Sequence, residues 1–132
     1  MSTLLRNVTN LISVFAMLFL PLSAHAATEQ AFSAQAFKAA QDAGKPILVE
    51  IHADWCPTCK AQQLILNKLS GEAAFSDVVR LKVNLDNQKD LLKQFNARMQ
   101  STLILYKGKT EIARSVGETD EGRIRAMLQK AL

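Results

Sequence analysis

The segment that most constrains the fold joins an apolar run to two cysteines that are separated by only two residues. Residues 47–51 read Ile-Leu-Val-Glu-Ile, the nearly continuous apolar pattern of a strand covered on both faces. Cys56 and Cys59 follow, and the apolar residues after them change to helical spacing up to Gly71. Two cysteines at this spacing can close a small disulfide loop. A bare pair is a weak signal, but this setting, with Trp55 in front, favours redox function over a structural disulfide or half of a metal site.

The rest of the chain alternates helical and strand patterns. Ser33 and Thr119 are the expected N-caps of the first and last helices, and a glycine turn at Gly108 joins two strands into a terminal hairpin. Strands linked by helices, followed by a hairpin, predict an α/β fold with a central mixed sheet of four strands, or five as the alternative, flanked by helices. We predict helices at 34–43, 57–70, 89–95 and 120–130, and strands at 47–51, 78–85, 102–106 and 111–116.

Length and charge exclude several classes of protein. The chain has 132 residues, 48% of them hydrophobic, which is enough for one small globular domain. Lys and Arg number 16 against 12 Asp and Glu, giving a net charge of +4, but the basic residues are scattered and never form a run of four. We therefore expect no nucleic-acid binding, which needs a clustered basic face. Two cysteines are too few for a disulfide-rich scaffold or a four-cysteine zinc site.

The first 26 residues have the pattern of a cleaved secretory signal peptide. Residues 11–22 are apolar except for Ser13, and Ala24 and Ala26 form the small-residue pattern that a signal peptidase cleaves. The run is shorter than the ~20 residues of a membrane-spanning helix, although a short uncleaved anchor remains the alternative. We predict a signal peptide at 1–26, a mature domain at 27–132, export to the periplasm, and no stable membrane insertion after cleavage. Disulfides persist in such a compartment.

The position of the cysteine pair predicts different roles for its two thiols. Cys56 lies at the expected helix N-terminus, where unpaired N–H groups and the helix dipole stabilise a thiolate. Cys59, one turn further in, is expected to be more buried and to act as the resolving thiol. Pro57 suits the first turn because its missing N–H has no helical partner there.

On these residues the chain resembles the thioredoxin family over about Ala34 to Leu132. The resemblance is strongest at 45–60 and continues at 81–86, 101–107 and in Val116-Gly117. It implies a thioredoxin-like fold and thiol–disulfide exchange without a cofactor. In that reaction Cys56 attacks a client disulfide, and Cys59 resolves the mixed disulfide. It also implies a substrate-binding surface formed by Trp55, Pro57, Thr58, Ser101, Thr102, Val116 and Gly117.

Glu50 is an acid inside the apolar strand, where the family typically has a buried Asp. The resemblance implies that it relays a proton to or from Cys59 and that Lys82 lies beside it; a buried ion pair kept for folding is the alternative. His52 should lie on the same side of the strand as Glu50. It either packs as a structural histidine or tunes the thiolate. His52 with the two cysteines also offers three metal ligands, but a structural zinc site needs more.

Ser101 is the clearest departure from the family, which normally has a cis-proline directly before the Thr-Leu strand. Because a cis bond to a non-proline residue costs about 2.5–4 kcal/mol, we predict a trans Gln100–Ser101 bond and a reshaped loop. The family uses this loop to pair with substrate and to block unwanted ligands at the cysteines.

The leading hypothesis is an exported thiol–disulfide oxidoreductase acting on protein thiols and disulfides, more as a reductant than as an oxidant. Such a reductant needs an electron donor, expected to be a membrane thiol transporter. We find no oligomerisation signal and expect a monomer. Pro57 and Thr58 leave an oxidising role open, because a hydrogen bond from Thr58 to the thiolate would favour the reduced form. The alternative class is a non-catalytic thioredoxin-like protein that binds a metal or a client.

Overall fold

A five-stranded mixed sheet runs through the centre of the protein, in a computed structural model that describes residues 27–132. The signal peptide predicted at 1–26 lies outside the described residues. β1, β3 and β2 are parallel, whereas β4 runs antiparallel to β2, and β5 antiparallel to β4. The sheet is the predicted mixed sheet in its five-stranded form. The strands are β1 (Glu29–Ala31), β2 (Pro46–His52), β3 (Val79–Asn84), β4 (Thr102–Lys107) and β5 (Thr110–Val116), in the order β1-β3-β2-β4-β5.

Four α-helices flank the sheet, and most begin at the predicted signals. The Ser33 hydroxyl caps the first helix by accepting the Ala36 N–H at 3.2 Å, as expected. The last helix is capped by Asp120, whose carboxylate accepts the Arg123 N–H at 2.8 Å. The prediction that Thr119 is this cap was wrong by one residue. The helices are α1 (Ala34–Asp42), α2 (Pro57–Ser70), α3 (Lys89–Gln94) and α4 (Glu121–Gln129), with a short 3-10 turn at Ala73–Phe75.

The hydrophobic core has two layers, one on each face of the sheet, because side chains alternate along each strand. One layer packs Leu48 of β2 and Leu105 of β4 against α2 and α4. The other packs Val49 of β2 and Ile104 of β4 against α1 and α3. The central strand β2 is therefore covered on both faces, as its apolar run predicted.

The fold brings three connections to one end of the sheet. The link from β2 to α2 carries the cysteines, and Thr102 at the start of β4 pairs with Ile51 on one side and Val116 on the other. Ser101 and Gly117 therefore lie next to the cysteine loop, with the Gly117 N–H donating to the Ser101 carbonyl at 2.8 Å. Within residues 27–132 no helix combines the length and the apolar character needed to cross a membrane.

Candidate active site

Cys56 and Cys59 form a disulfide at the N-terminus of α2. Cys56 is the N-cap residue, and its sulfur accepts the backbone N–H of Cys59 at 3.1 Å. The two Cα atoms are 5.3 Å apart, within the ordinary range for a disulfide. Pro57 occupies the first helical position, where no N–H is required. After reduction, the same N–H and the helix dipole would act on a Cys56 thiolate.

The expected difference in burial between the cysteines was wrong. Both are buried, and Cys56 is the less exposed, at 2% against 8% for Cys59. Ser101 contacts both sulfurs at the same distance, so the difference arises because Cys59, and not Cys56, lines a polar cavity behind the disulfide. The assignment of Cys56 as the nucleophile therefore depends on its position at the helix terminus and not on exposure.

Ser101 lies directly against the disulfide. Residues 27–132 contain no cis peptide bond, so the Gln100–Ser101 bond is trans as predicted, and Ser101 adopts a left-handed conformation with φ of 59°. Its hydroxyl oxygen is 3.2 Å from the sulfur of Cys56 and 3.2 Å from that of Cys59. A disulfide sulfur carries no proton, so the hydroxyl is the donor, and its single proton can be directed at either sulfur. The residue implied as a substrate contact thus touches the redox sulfurs themselves.

Glu50 is paired with an arginine that the sequence analysis did not single out. Arg80 Nε lies 2.6 Å from one carboxylate oxygen, and Nη2 lies 3.1 Å from the other. Lys82 lies beside Glu50 as expected, since the two residues are register partners on β3 and β2 and both line the same cavity. Its ion pair, however, is with Glu29 of β1, and the direct partner of Glu50 is Arg80. Burial raises the pKa of Glu50, and the hydrogen bonds and charge of Arg80 oppose that rise.

Arg80 is the most thoroughly engaged charged side chain of the site, with only 2% of its surface exposed. Its Nη1 donates to Asn67 at 2.9 Å and Ser70 at 3.2 Å, and its Nη2 donates to Glu29 at 3.1 Å. It thereby links α2, β1 and β2 behind the cysteines. A usable signal was present: an acid in a buried strand requires a cation, and both Arg80 and Lys82 lie on the neighbouring strand face.

A cavity of about 130 Å³ lies behind Cys59. A space of this size with polar walls is large enough for water, which needs only about 10–15 Å³. His52 is on the predicted side of β2, 3.7 Å from the Asp54 carboxylate. Burial and the nearby charge of Lys82 lower its pKa, which favours the neutral imidazole at neutral pH. The walls include Glu50, His52, Cys59, Gln62, Gln63 and Lys82.

The remaining predicted substrate contacts surround the disulfide with mixed exposure. Trp55 is largely exposed, and its indole Nε1 donates to Asp86 at 3.0 Å. Val116 is exposed as well, whereas Thr102 is buried and its hydroxyl donates to the Met99 carbonyl at 2.7 Å. Pro57 and Gly117 are also exposed, and Thr58 is partly buried. Among residues 27–132 no group of three His, Cys, Asp or Glu side chains is arranged to hold a metal ion.

The family model and the similar proteins all indicate the same family. The thioredoxin family model matches residues 25–130. Thioredoxin C-2 of Corynebacterium nephridii is 32% identical over 89 residues, covering 67% of this chain and 82% of that protein. The thioredoxin of Alicyclobacillus acidocaldarius is 30% identical over 96 residues, which cover 73% of this chain and 90% of that protein. The crystal structure of Trxlp from Edwardsiella tarda matches this fold with a TM-score of 0.74. The two sequences are 44% identical, and the match covers 76% of this chain and 98% of that one.

Proposed function

Since this chain belongs to the thioredoxin family of thiol–disulfide oxidoreductases, we propose that it acts as an exported reductant of protein disulfides. The observation that carries the proposal is the Cys56–Cys59 pair at the start of α2, with the Cys59 N–H directed at the Cys56 sulfur at 3.1 Å. This arrangement stabilises one thiolate of the reduced pair and makes Cys56 the nucleophile.

The reduction proceeds through a mixed disulfide. The Cys56 thiolate attacks a client disulfide and releases one client thiol, and Cys59 then attacks Cys56 and releases the second. Cys59 must lose its proton before that step. Glu50 and Cys59 line one cavity, and the raised pKa of Glu50 suits a proton acceptor near neutral pH. The exposed Trp55 and Val116 beside the disulfide would contact the client.

The helices and strands between β2 and β4 support a reducing rather than an oxidising role. Between β2 and β4 the chain contains α2, a short 3-10 turn, β3 and α3, without the further helices that larger disulfide-generating enzymes insert. Export is supported by the apolar run and the Ala24–Ala26 cleavage pattern in the sequence. A reductant in an oxidising compartment requires a supply of electrons, so we include a membrane thiol donor in the proposal. The proposed working form is a monomer.

A redox titration of the mature protein as purified after export tests the proposal. The protein is equilibrated in graded thiol/disulfide buffers, its free thiols are trapped, and the products are counted by mass. A reversible two-electron transition at a strongly reducing midpoint is expected. A strongly oxidising midpoint would make the protein a disulfide donor, and the absence of any transition would reject the oxidoreductase.

The Cys59→Ser variant tests the order of the two thiols. It should accumulate mixed disulfides with client proteins through Cys56, because the resolving step is blocked. The matched Cys56→Ser variant should trap none. Equal trapping by the two variants would reject the assignment. Loss of a bound metal without trapping would support the binding-protein alternative instead. Mass spectrometry of the same exported material tests the compartment, since cleavage should leave Ala27 as the first residue.

A further inference from the structure

The Ser101 hydroxyl is placed to serve both sulfurs of the redox pair. It lies 3.2 Å from each of them and is buried, with 3% of the residue exposed. We propose that Ser101 is a catalytic residue that donates its hydrogen bond to Cys56 in the reduced protein and to Cys59 in the mixed disulfide. This inference rests on the proposed exchange reaction and adds a chemical role to a residue expected only to contact substrate.

The hydrogen bond has a different strength in the two redox states. A disulfide sulfur is a weak acceptor, whereas a thiolate receives a charge-assisted bond that is roughly twice as strong. The hydroxyl therefore stabilises the reduced protein more than the oxidised one. Its presence raises the midpoint potential and lowers the pKa of the Cys56 thiol relative to the same site without it.

Because the Ser101 hydroxyl is equally far from the two sulfurs, it can also donate to Cys59 in the resolving step. When Cys56 is bonded to a client sulfur, the thiolate that needs a donor is Cys59, and rotation of the Ser101 hydroxyl supplies it. Cys59 attacks the Cys56 sulfur, so the Cys56–Cys59 bond forms and the bond from Cys56 to the client breaks. The electron pair leaves on the client thiolate, which takes a proton from solvent. The client disulfide has then gained two electrons, and the protein dithiol has lost them.

The backbone of Ser101 is fixed by two donors to its carbonyl oxygen. The Gly117 N–H donates at 2.8 Å and Gln62 Nε2 at 3.1 Å, and Gln62 also donates to the Glu118 carbonyl at 2.9 Å. Gln62 is itself buried on α2, one turn after Cys59. It is a positioning residue, because its hydrogen bond holds the Ser101 carbonyl and it makes no hydrogen bond to either sulfur among residues 27–132.

The test uses Ser101→Gly and Ser101→Ala in the exported protein. Glycine accepts the left-handed φ without strain and alanine does not, so an effect common to both variants reports the hydroxyl. We expect the pKa of Cys56, measured by thiolate absorbance, to rise by about one unit, because a hydrogen bond to a charged group is lost. The equilibrium with a reference dithiol should shift about tenfold toward the oxidised protein, equivalent to about 30 mV.

Ser115→Ala is the matched control, because it removes a partly buried hydroxyl whose partner within residues 27–132 is the Met127 sulfur, at 3.7 Å. It should change neither the pKa nor the midpoint. Gln62→Met should shift both in the same direction as Ser101→Gly but less. Adding Gln62→Met to Ser101→Gly should cause no further shift, because the two residues act as a unit.

The outcomes separate the two proposals. A wild-type protein with a normal two-electron transition, and Ser101 variants that titrate like Ser115→Ala, would overturn the role of Ser101 alone. A wild-type protein without a reversible transition would reject the proposed function. If Ser101→Ala does not fold, Ser101→Gly and Gln62→Met decide the question, and absence of a shift in both counts against the proposal.

Discussion

At the scale of single residues, Arg80 and Glu50 form the most buried ion pair within residues 27–132. Two buried charges are tolerable only if they are paired, and the Arg80 guanidinium donates to both oxygens of Glu50. Glu50 also lines the cavity of Cys59, whereas Arg80 does not. The pair therefore contributes to folding, and through Glu50 it contributes to the chemistry of the second thiol.

Removal of Arg80 should expose the cost of a buried carboxylate. We expect Arg80→Met to lose about 3–5 kcal/mol of unfolding free energy at neutral pH, because Glu50 is left unpaired. The pKa of Glu50 is raised above the ordinary value of 4.5 and would rise further, so the folded state holds its proton to higher pH than the unfolded state. Stability of the variant should therefore fall as pH rises through 4.5 toward the raised pKa.

Urea unfolding between acid and neutral pH measures this dependence. The double variant Arg80→Met with Glu50→Leu removes both charges and should recover much of the loss at neutral pH. A single variant with the stability of the wild type and no new pH dependence would contradict the assignment.

Glu50→Gln should slow resolution of the mixed disulfide by about 100-fold at neutral pH, the lower range for a lost proton acceptor. The measurement is a single-turnover rate with a model disulfide, followed across pH. Glu29→Gln is the matched control, since Glu29 also contacts Arg80 but does not line the cavity. Equal rates in the two variants would show that Glu50 has only a structural role.

The site residues that belong to a local sequence motif could be predicted. Those that reach the site only through packing between distant segments could not. Cys56, Cys59 and Glu50 follow from the strand and cysteine pattern. Arg80 alternates with Val79 and Leu81, so the sequence reads as a strand whose polar face meets water. In the structure α2 covers that face, and the coverage depends on contacts between distant segments.

At the scale of elements, the start of α4 gives a direct test of the corrected cap. Asp120→Ala should cost about 1 kcal/mol of unfolding free energy, because the Arg123 N–H loses its partner. Thr119→Ala, one residue earlier, should lower the unfolding free energy by at most about 0.3 kcal/mol, because Thr119 is not the cap. Thermal and urea unfolding of the two variants compares them. A larger loss for Thr119→Ala would restore the original prediction.

The strand missed by the sequence analysis is short, and its own residues do not determine it. Glu29-Gln30-Ala31 has neither an apolar run nor alternation. It becomes a strand because Arg80 to Lys82 of β3 offer a free edge and because Arg80 and Lys82 bind Glu29. The longer strands and all four helices were predictable from their periodicity, since each has an apolar face of its own.

At the scale of the whole molecule, β4 connects the two core layers. Ile104 faces one layer and Leu105 the other, and both are completely buried. We expect Ile104→Ala and Leu105→Ala each to lose about 2–5 kcal/mol, because each leaves a cavity in a packed layer. In both variants fluorescence and circular dichroism should follow one coincident unfolding transition. Separate transitions for the two signals would show that the layers unfold independently.

The parallel pairing of β1 with β3 also determines when the sheet can be completed. Glu29 meets Arg80 across 51 positions of the chain, so the first strand to leave the ribosome has no neighbour until much of the domain has been synthesised. β2 and β4 pair across separations at least as long, but six residue pairs join them, whereas only three join β1 to β3. The short edge strand therefore gains the least from closing its loop. We expect β1 to join last, so variants at Glu29 would speed unfolding and leave the folding rate almost unchanged.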